Sequence, residues 1–322
     1  MSPPFPEPQF LMPYPEDPQV SDYRPVVNST GTHLLFERTF PGSDPPQPVT
    51  LYLLQLDEDC TEAKPFLPEG PTGQARADWC RTIVNPIENP LGEVAFATPQ
   101  GIWLVHGDGS HLRRVEGTAG MVYPAWYPDG HHLAVMNSSA SADPNPCSTR
   151  IDRKGQTQES PLAGFQVYGG MPSVNQQYPY LLAFAGQLIP RLPAPYNENF
   201  NYVWVADAQT GTVAPLDRNA PQDRYDPAYQ SRAPWWSPDG RWVAFESNRL
   251  CPGAGTGMGY ALFLQDAEGL KPPIQVTDPD WDAQHAKWID DGTLVATLFQ
   301  KRSSKKVPRG IATLDVSALI SG

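Results

Sequence analysis

The stretch Pro234-Trp-Trp-Ser-Pro-Asp-Gly-Arg-Trp-Val-Ala-Phe-Glu-Ser247 carries the pattern that decides the fold. Two further segments align with its first half without gaps, Tyr123-Pro-Ala-Trp-Tyr-Pro-Asp-Gly130 and His285-Ala-Lys-Trp-Ile-Asp-Asp-Gly292. A short apolar strand follows each copy. Proline presets φ, aspartate bonds its own backbone and glycine accepts a positive φ, so these residues form a tight turn between two strands. The chain is therefore predicted to repeat a strand–turn–strand unit.

Three weaker copies complete the set. They are Arg24–Gly31 before His33–Phe36, Ala77–Trp79 before Glu93–Phe96, and Met171–Asn175 before Tyr180–Phe184. The register positions of the six copies are Val27, Trp79, Trp126, Val174, Trp236 and Trp288. Their spacing of about 50 residues is typical of β-propellers with several strands per blade. A large side chain at this position is well suited to fill the space between neighbouring blades.

The repeat predicts an all-β fold, a six-bladed β-propeller with four-stranded antiparallel blades. The predicted blades span approximately residues 23–70, 71–118, 119–166, 167–220, 221–280 and 281–319. The last unit leaves no room for a fourth strand. Residues 1–22 form a Pro-rich segment, and we predict that residues 8–14 close the ring as the outer strand of the last blade, so that no unpaired edge remains.

The motif at Pro234–Ser247 resembles the repeat of the TolB-type propellers, a WD40-like repeat. The turn Gly107–Ser110 before Leu112–Val115 is similar to that family's link between its third and fourth strands. The resemblance covers about residues 23–319 and implies six blades and, usually, a bacterial source. It implies no single function, because the same repeat occurs in periplasmic scaffolds, in surface proteins and as the N-terminal module of some serine peptidases.

Composition and charge exclude some classes of partner. The 322 residues carry a net charge of −12, which repels nucleic-acid phosphates, so no nucleic-acid partner is expected. No run approaches the roughly 20 apolar residues needed to span a bilayer, and no signal peptide is visible at the N-terminus. The hydrophobic share of 40% with nine tryptophans is enough for a core, which argues against disorder despite 38 prolines.

The cysteines leave the compartment open. Cys60, Cys80, Cys147 and Cys251 form no Cys-x-x-Cys pair, so a zinc knuckle is unsupported. They are either buried free thiols or one or two disulfides, and disulfides would imply an oxidising compartment. An extracytoplasmic location, in the periplasm or at the cell surface, is favoured over the cytoplasm.

Long connections are predicted to collect on one face of the ring. The connections between second and third strands are Phe40–Thr50, Asn137–Ser148, Gly186–Asn201, Asn248–Tyr260 and Gln300–Arg309. Insertions on one face often mark the binding face of a repeat protein, so we expect a protein partner there. The candidate contact residues are Tyr196, Tyr202, Tyr225, Tyr229, Tyr260, Lys301, Arg302, Lys305 and Lys306. For any single tyrosine, packing of a loop onto the propeller is the competing interpretation.

The mouth of the central channel is the second candidate site. The starts of the innermost strands predict a ring of Arg24, Arg76, Tyr123, Met171, Arg232 and His285. A small ligand could bind there, and a water-filled channel is the alternative. Asp278, Asp280 and Asp282 have the first three spacings of a calcium loop, but Ala283 and Ile289 stand where that loop needs Gly and Glu. No cofactor is predicted; calcium is the one metal the spacing suggests.

No catalytic residues are predicted, because no Gly-x-Ser-x-Gly elbow, His-Glu-x-x-His pair or Walker loop occurs. The sequence therefore favours a non-catalytic protein-binding or scaffolding propeller, a subunit or accessory of a bacterial assembly. The alternative is a propeller hydrolase or lactonase with a metal or small ligand at the channel mouth.

Overall fold

The computed structural model describes residues 5–12, 20–40, 49–56, 62–82, 91–137, 149–158, 167–188, 202–218, 230–249, 259–302 and 305–321. Side chains are described for all of these except residues 75, 137, 167–169, 187, 188, 302 and 305–309.

The described residues form six four-stranded antiparallel sheets. The first blade, from the inside outward, consists of β2 (Ser21–Val27), β3 (His33–Thr39), β4 (Thr50–Gln55) and β5 (Lys64–Pro65). The second consists of β6 (Ala75–Trp79), β7 (Glu93–Thr98), β8 (Gly101–His106) and β9 (Arg113–Arg114). The third consists of β10 (Met121–Trp126), β11 (His132–Asn137), β12 (Thr149–Asp152) and β13 (Thr157–Gln158).

The remaining blades repeat this order. The fourth consists of β14 (Val167–Val174), β15 (Leu181–Leu188), β16 (Tyr202–Asp207) and β17 (Thr212–Pro215). The fifth consists of β18 (Ser231–Trp236), β19 (Trp242–Ser247), β20 (Ala261–Asp266) and β21 (Ile274–Gln275). The sixth consists of β22 (Trp281–Trp288), β23 (Thr293–Arg302), β24 (Lys305–Asp315) and β1 (Gln9–Phe10), and a short helix, α1 (Ser317–Ile320), follows it. The predicted six-bladed fold is confirmed.

The N-terminal strand closes the ring, as the sequence predicts. Gln9 pairs with Thr313 and Phe10 with Ala312, and the backbone N–H of Leu11 donates to the carbonyl of Ile311 at 3.1 Å. The N-terminal strand therefore covers the open edge of the last blade, where unpaired backbone groups would otherwise face solvent.

Apolar packing lies between neighbouring blades. Six clusters of buried side chains occur among the described residues, one at each interface between consecutive blades. The register residue of each blade lies in the cluster that it shares with the preceding blade, and Trp79, Trp126 and Trp288 are each no more than 2% exposed. Val27 takes this position at the interface between the sixth and first blades, where Leu11 and Met12 pack against the cluster. The N-terminal segment therefore helps to seal one of the two interfaces whose register residue is a valine and not a tryptophan.

The tight turns follow the chemistry expected from the sequence. In the fifth blade the N–H of Gly240 donates to the carbonyl of Ser237 at 2.9 Å, and Gly240 has a φ of 73°. The Asp239 carboxylate accepts the N–H of Arg241 at 3.0 Å. A glycine is needed here because an L-residue pays a steric penalty at that φ.

Every innermost strand contains a β-bulge at the same repeat position. One non-glycine residue in each bulge has a left-handed φ of 51–58°; these residues are Arg24, Arg76, Tyr123, Met171, Ala233 and His285. The left-handed conformation costs an L-residue roughly 1–2 kcal/mol, so six such residues represent backbone strain collected at one level of the ring. Bulges of this kind re-aim a side chain, and strain of this kind clusters at functional sites.

Candidate functional site: an axial pocket with one unmatched arginine

The bulge residues line a pocket at the centre of the ring, called here the axial pocket. All six contribute to its wall, together with the residues that follow them on the innermost strands. Apolar groups make up most of the lining, and Met171, Ala233 and Trp235 are among them. Because the chain runs from the face of the long connections into each innermost strand, the bulge residues lie nearer that face than the register residues do.

Two ion pairs hold the wall of the axial pocket. Arg24 Nη1 lies 2.7 Å from Glu37 Oε2, and Arg232 Nε lies 2.8 Å from Glu246 Oε1. The side chains of Glu37 and Glu246 are 1% and 0% exposed, so each carboxylate depends on its arginine for compensation.

The same two carboxylates tie neighbouring blades together. Glu37 Oε1 accepts the backbone N–H of Arg76 at 2.6 Å, and Glu246 Oε2 accepts that of His285 at 3.2 Å. Thr297 Oγ1 likewise accepts the backbone N–H of Arg24 at 3.2 Å. At three interfaces, therefore, a second-strand side chain holds the strained N–H of the next blade's bulge.

Arg76 has no such carboxylate. Among the described residues no acidic side chain lies within ion-pair distance of it. Its guanidinium stacks on the Tyr123 ring at 4.2 Å, and Nη2 contacts the Met171 sulfur at 3.4 Å. Arg76 Nε is buried without a hydrogen-bond partner. Burial, followed by the charge of Arg24, lowers the pKa of Arg76 below its ordinary value, so the folded protein disfavours this charge.

His285 presents another unsatisfied atom of the axial pocket, in addition to the Nε atoms of Arg24 and Arg76. Its Nδ1 is buried and has no hydrogen-bond partner. Burial, followed by the charges of Arg24 and Arg76, holds the pKa of His285 well below its usual range. The imidazole is therefore neutral at pH 7, and one ring nitrogen carries a hydrogen while the other accepts.

A polar layer forms the floor of the axial pocket. Lys287 Nζ donates to the carbonyl of Ala77 at 2.6 Å, lies 3.8 Å from Asp78 Oδ1 and sits 4.0 Å above the Trp235 ring. Burial lowers the pKa of Lys287 to about 8 and raises that of Asp78. Asp78 and Trp235 also line a second, smaller pocket on the far side. The contact between Lys287 and Asp78 therefore joins the linings of the two pockets.

Comparison with known proteins supports the fold. No family model and no curated protein matches the sequence. Among solved structures, TolB from Acinetobacter baumannii is similar, with 14% identity and a TM-score of 0.55 over 94% of this chain and 63% of that one. The chain has the TolB-like six-bladed β-propeller fold.

Other structures share the TolB-like fold with different descriptions. A protein of unknown function from Dyadobacter fermentans is 12% identical with a TM-score of 0.57, over 95% of this chain and 97% of that one. An oligogalacturonate lyase in complex with manganese is 15% identical with a TM-score of 0.55, over 97% and 79% of the two chains. Likeness at this identity concerns the fold, and the fold hosts both binding proteins and enzymes.

The TolB-like ring brings together most of the predicted channel-mouth residues. Arg24, Arg76, Tyr123 and His285 line the axial pocket, as does Met171. Arg232 stands one residue before the bulge residue of its blade and stacks on the Tyr260 ring at 4.2 Å. Ligand binding by this set of residues stays a prediction.

The predicted contact tyrosines differ from the channel-mouth residues in how far the structure supports their predicted positions. Tyr202 is only 6% exposed and belongs to the packing between the third and fourth blades, so it is a core residue and not a surface contact. Tyr260 is half-buried, and its hydroxyl donates to Gln230 Oε1 at 2.5 Å. Tyr196, Tyr225 and Tyr229 lie outside the described residues.

The basic segment Gln300–Arg309 is not the irregular loop that its sequence suggests. Strands β23 and β24 continue through it, with Lys301 opposite Lys306 and Arg302 opposite Lys305. The sequence predicts an irregular connection from Gln300 to Arg309, but a register shift after Leu298 accommodates Pro308 within the sheet. Lys301 Nζ donates to the carbonyl of Pro279 at 3.0 Å. The side chains of Arg302, Lys305 and Lys306 are outside the described set.

The candidate calcium residues do not converge. Asp278 Oδ1 accepts the N–H of Asp280 in a local turn, whereas Asp282 is fully buried and accepts the N–H of Tyr260 at 2.6 Å. Within the described ranges no group of three or more His, Cys, Asp or Glu side chains could hold a metal ion, and no helix is long and apolar enough to cross a membrane. Cys80 is a buried free thiol; the other three cysteines are outside the described ranges.

Sequence reasoning missed the carboxylates and the floor. Glu37 and Glu246 stand at the same repeat position, each directly after the phenylalanine of an apolar second strand. A glutamate in that setting, present in two aligned repeats, is a signal for a buried acid that needs a cation. No comparable signal marks Lys287 and Asp78, since their contact joins two blades distant in sequence.

Proposed function

We propose that the chain is a non-catalytic binding propeller that engages a protein partner through the face of its long connections, with the axial pocket opening on that face. The supporting observation is the use of the buried acids around the pocket. Glu37, Glu246 and Asp78 are each committed to a cation and to a backbone N–H of a neighbouring blade. A general acid or base must instead be free to exchange a proton with a substrate.

The state of His285 also favours binding over catalysis. Its pKa is held well below the usual range, so it is a weak base, and its Nδ1 has no orienting partner. A catalytic histidine is ordinarily oriented by a hydrogen bond to its second nitrogen. The wall of the axial pocket thus resembles a rigid receptor more than a reaction centre.

A photo-crosslinking experiment tests the face. Benzoylphenylalanine is placed at Lys301, in the extended arm on the long-connection side, and in a matched variant at His131, in a tight turn on the opposite side. We expect one partner band from cells of the source organism with the Lys301 variant alone. A band from the His131 variant alone, or an equal band from both, contradicts the proposed face.

Metal analysis of the purified protein tests the non-catalytic part. Manganese is the first metal to examine, because an oligogalacturonate lyase of like fold was solved with it. We expect less than stoichiometric metal after gel filtration in manganese-containing buffer. A stoichiometric ion that is lost on substitution of His285 would replace this proposal with the enzymatic alternative.

A further inference from the structure

Charge matching around the axial pocket is incomplete. Three cations in or next to its wall and floor have acidic partners; the pairs are Arg24–Glu37, Arg232–Glu246 and Lys287–Asp78. Arg76 remains without one among the described residues. A cation withdrawn from water ordinarily has a charge partner, so Arg76 is open to an anion from outside the chain.

The orientation of Arg76 leaves its edge available. The guanidinium carbon lies over the Tyr123 ring, 4.2 Å from its centre, and the five N–H donors of a guanidinium lie in the plane of that group. Nε is buried and unpartnered, and Nη2 meets only a sulfur, which is a weak acceptor. Buried donors are rarely left unsatisfied, so an acceptor from outside the chain is expected at this edge.

His285 adds a second hydrogen-bonding atom to the same pocket. Its unpartnered Nδ1 belongs to a neutral imidazole, which contributes a hydrogen bond without a further charge. The remaining lining is largely apolar and includes Pro124, Pro172 and Trp235. The site thus combines one planar fork, one neutral polar atom and an apolar wall.

This combination discriminates among anions. A planar carboxylate matches the guanidinium fork with two parallel hydrogen bonds and satisfies it with a single charge. A phosphate carries more charge and more acceptor oxygens than one guanidinium and one imidazole can satisfy. An apolar stem behind the carboxylate would contact the proline and tryptophan side chains.

We propose that the axial pocket binds the carboxylate of a small acid or of a chain terminus carried on a short apolar stem, with Arg76 as the fork and His285 as the second contact. The proposal rests on the proposed function in one respect, that the pocket is a receptor and not a reaction centre. It does not depend on which partner covers the long-connection face.

Calorimetric titration tests the site directly. The intact protein, in a chloride buffer without carboxylates at pH 7.5, is titrated with N-acetylglycine and with N-acetylglycinamide. We expect one-to-one binding of the acid with a Kd of about 1 mM, the range for so small a ligand, and no binding of the amide. Equal heats for acid and amide, or tighter binding of inorganic phosphate than of N-acetylglycine, would overturn the proposal.

Variants locate the binding. Arg76→Met is expected to weaken N-acetylglycine binding by about 10- to 100-fold, because it removes charge-assisted hydrogen bonds. Arg76→Lys keeps the charge and loses the fork, so its loss is intermediate. The matched control is Arg241→Met, an exposed arginine paired with Asp239 in a tight turn, and it leaves the affinity unchanged. Unchanged binding by both Arg76 variants, with normal urea unfolding, refutes the assignment.

A second ligand separates the two sources of carboxylate. The ligand is an N-acetylated tripeptide of alanine with a free C-terminus. It binds more tightly than N-acetylglycine if the natural ligand is a chain terminus, and no more tightly if the natural ligand is a small acid. Either result supports a carboxylate site. The titration uses the purified chain alone. Carboxylate binding can therefore hold while crosslinking from the Lys301 position fails, and the reverse, so the two proposals fail independently.

Discussion

Replacing Arg76 with methionine should stabilise the ligand-free protein. The substitution keeps an unbranched stem against the pocket wall and removes a buried charge that has no acidic partner among the described residues. Burying an ion costs several kcal/mol, while the stack on Tyr123 returns about 0.5–2 kcal/mol and the contact to sulfur less. Because Arg76 as a whole residue is half-buried and not fully buried, we expect a net gain of about 1–3 kcal/mol in the free energy of unfolding.

Urea unfolding followed by tryptophan fluorescence measures this change, in a buffer without carboxylates. For 322 residues each kcal/mol also moves the Tm by about 1.5 °C, so a rise of roughly 1.5–4.5 °C is expected. The contrasting variant is Arg24→Met, which leaves the buried Glu37 carboxylate without its cation and should destabilise by about 2–4 kcal/mol. Loss of more than about 1 kcal/mol in Arg76→Met would refute the reasoning, because Arg76 would then be a structural tie.

Three further outcomes follow from the described contacts. Removal of residues 1–12 exposes the edge of β24 and uncovers the apolar cluster between the sixth and first blades. It should lower the urea midpoint of unfolding and cause concentration-dependent aggregation, measured by light scattering. An unchanged midpoint would contradict ring closure by β1. Burial raises the pKa of the Cys80 thiol to about 12, so iodoacetamide at pH 8 should leave Cys80 unmodified in the native protein and modify it in urea, as measured by mass spectrometry. Rapid modification of the native protein would show that the interface between the second and third blades opens. The pKa of Lys287 is about 8 when folded and about 10.5 when unfolded, so the unfolded chain binds more protons between these values and stability rises with pH there, by on the order of 3 kcal/mol. Lys287→Met should lose that part of the pH dependence of the free energy of unfolding, and an identical pH profile in the variant would disprove the assignment.

Much of the fold is readable from the sequence because the repeat is expressed in local chemistry. The Pro-Asp-Gly turns and the apolar strand after each of them fix a pair of strands within a few residues of one another. Trp79, Trp126 and Trp288 mark the register because each fills the space against the preceding blade. Closure by β1 follows from the count of strands, since the last blade lacks a fourth.

The site is only partly readable because it depends on contacts between blades. The start of each innermost strand predicts which side chains reach the channel mouth, and Arg76 and His285 do line the axial pocket. The arginine that lacks an acidic partner is determined by Glu37 and Glu246. Each of these carboxylates accepts a hydrogen bond from an arginine of its own blade and from a backbone N–H of the next blade. That matching involves distances between chain segments about 40–50 residues apart, which local patterns do not encode.

The sequence also predicts a loop and an exposed residue at two places where the structure has a strand and a core residue. Residues Gln300–Arg309 are predicted as an irregular connection, yet a register shift keeps Pro308 in the sheet, and β23 and β24 extend into a long arm. Tyr202 is read as a surface contact because tyrosine is common at interfaces, yet its position on a third strand places it in the core.

The most direct test of the account is the NMR signal of the Arg76 Nε–Hε group in protein labelled with ¹⁵N-arginine and assigned with Arg76→Lys. This group is buried and unpartnered in the structure, so an added carboxylate acceptor must change its chemical shift. We expect a saturable downfield shift of this signal on titration with N-acetylglycine, at the same Kd as by calorimetry and with no shift from the amide. An unmoved Arg76 signal at saturating N-acetylglycine would contradict the central claim.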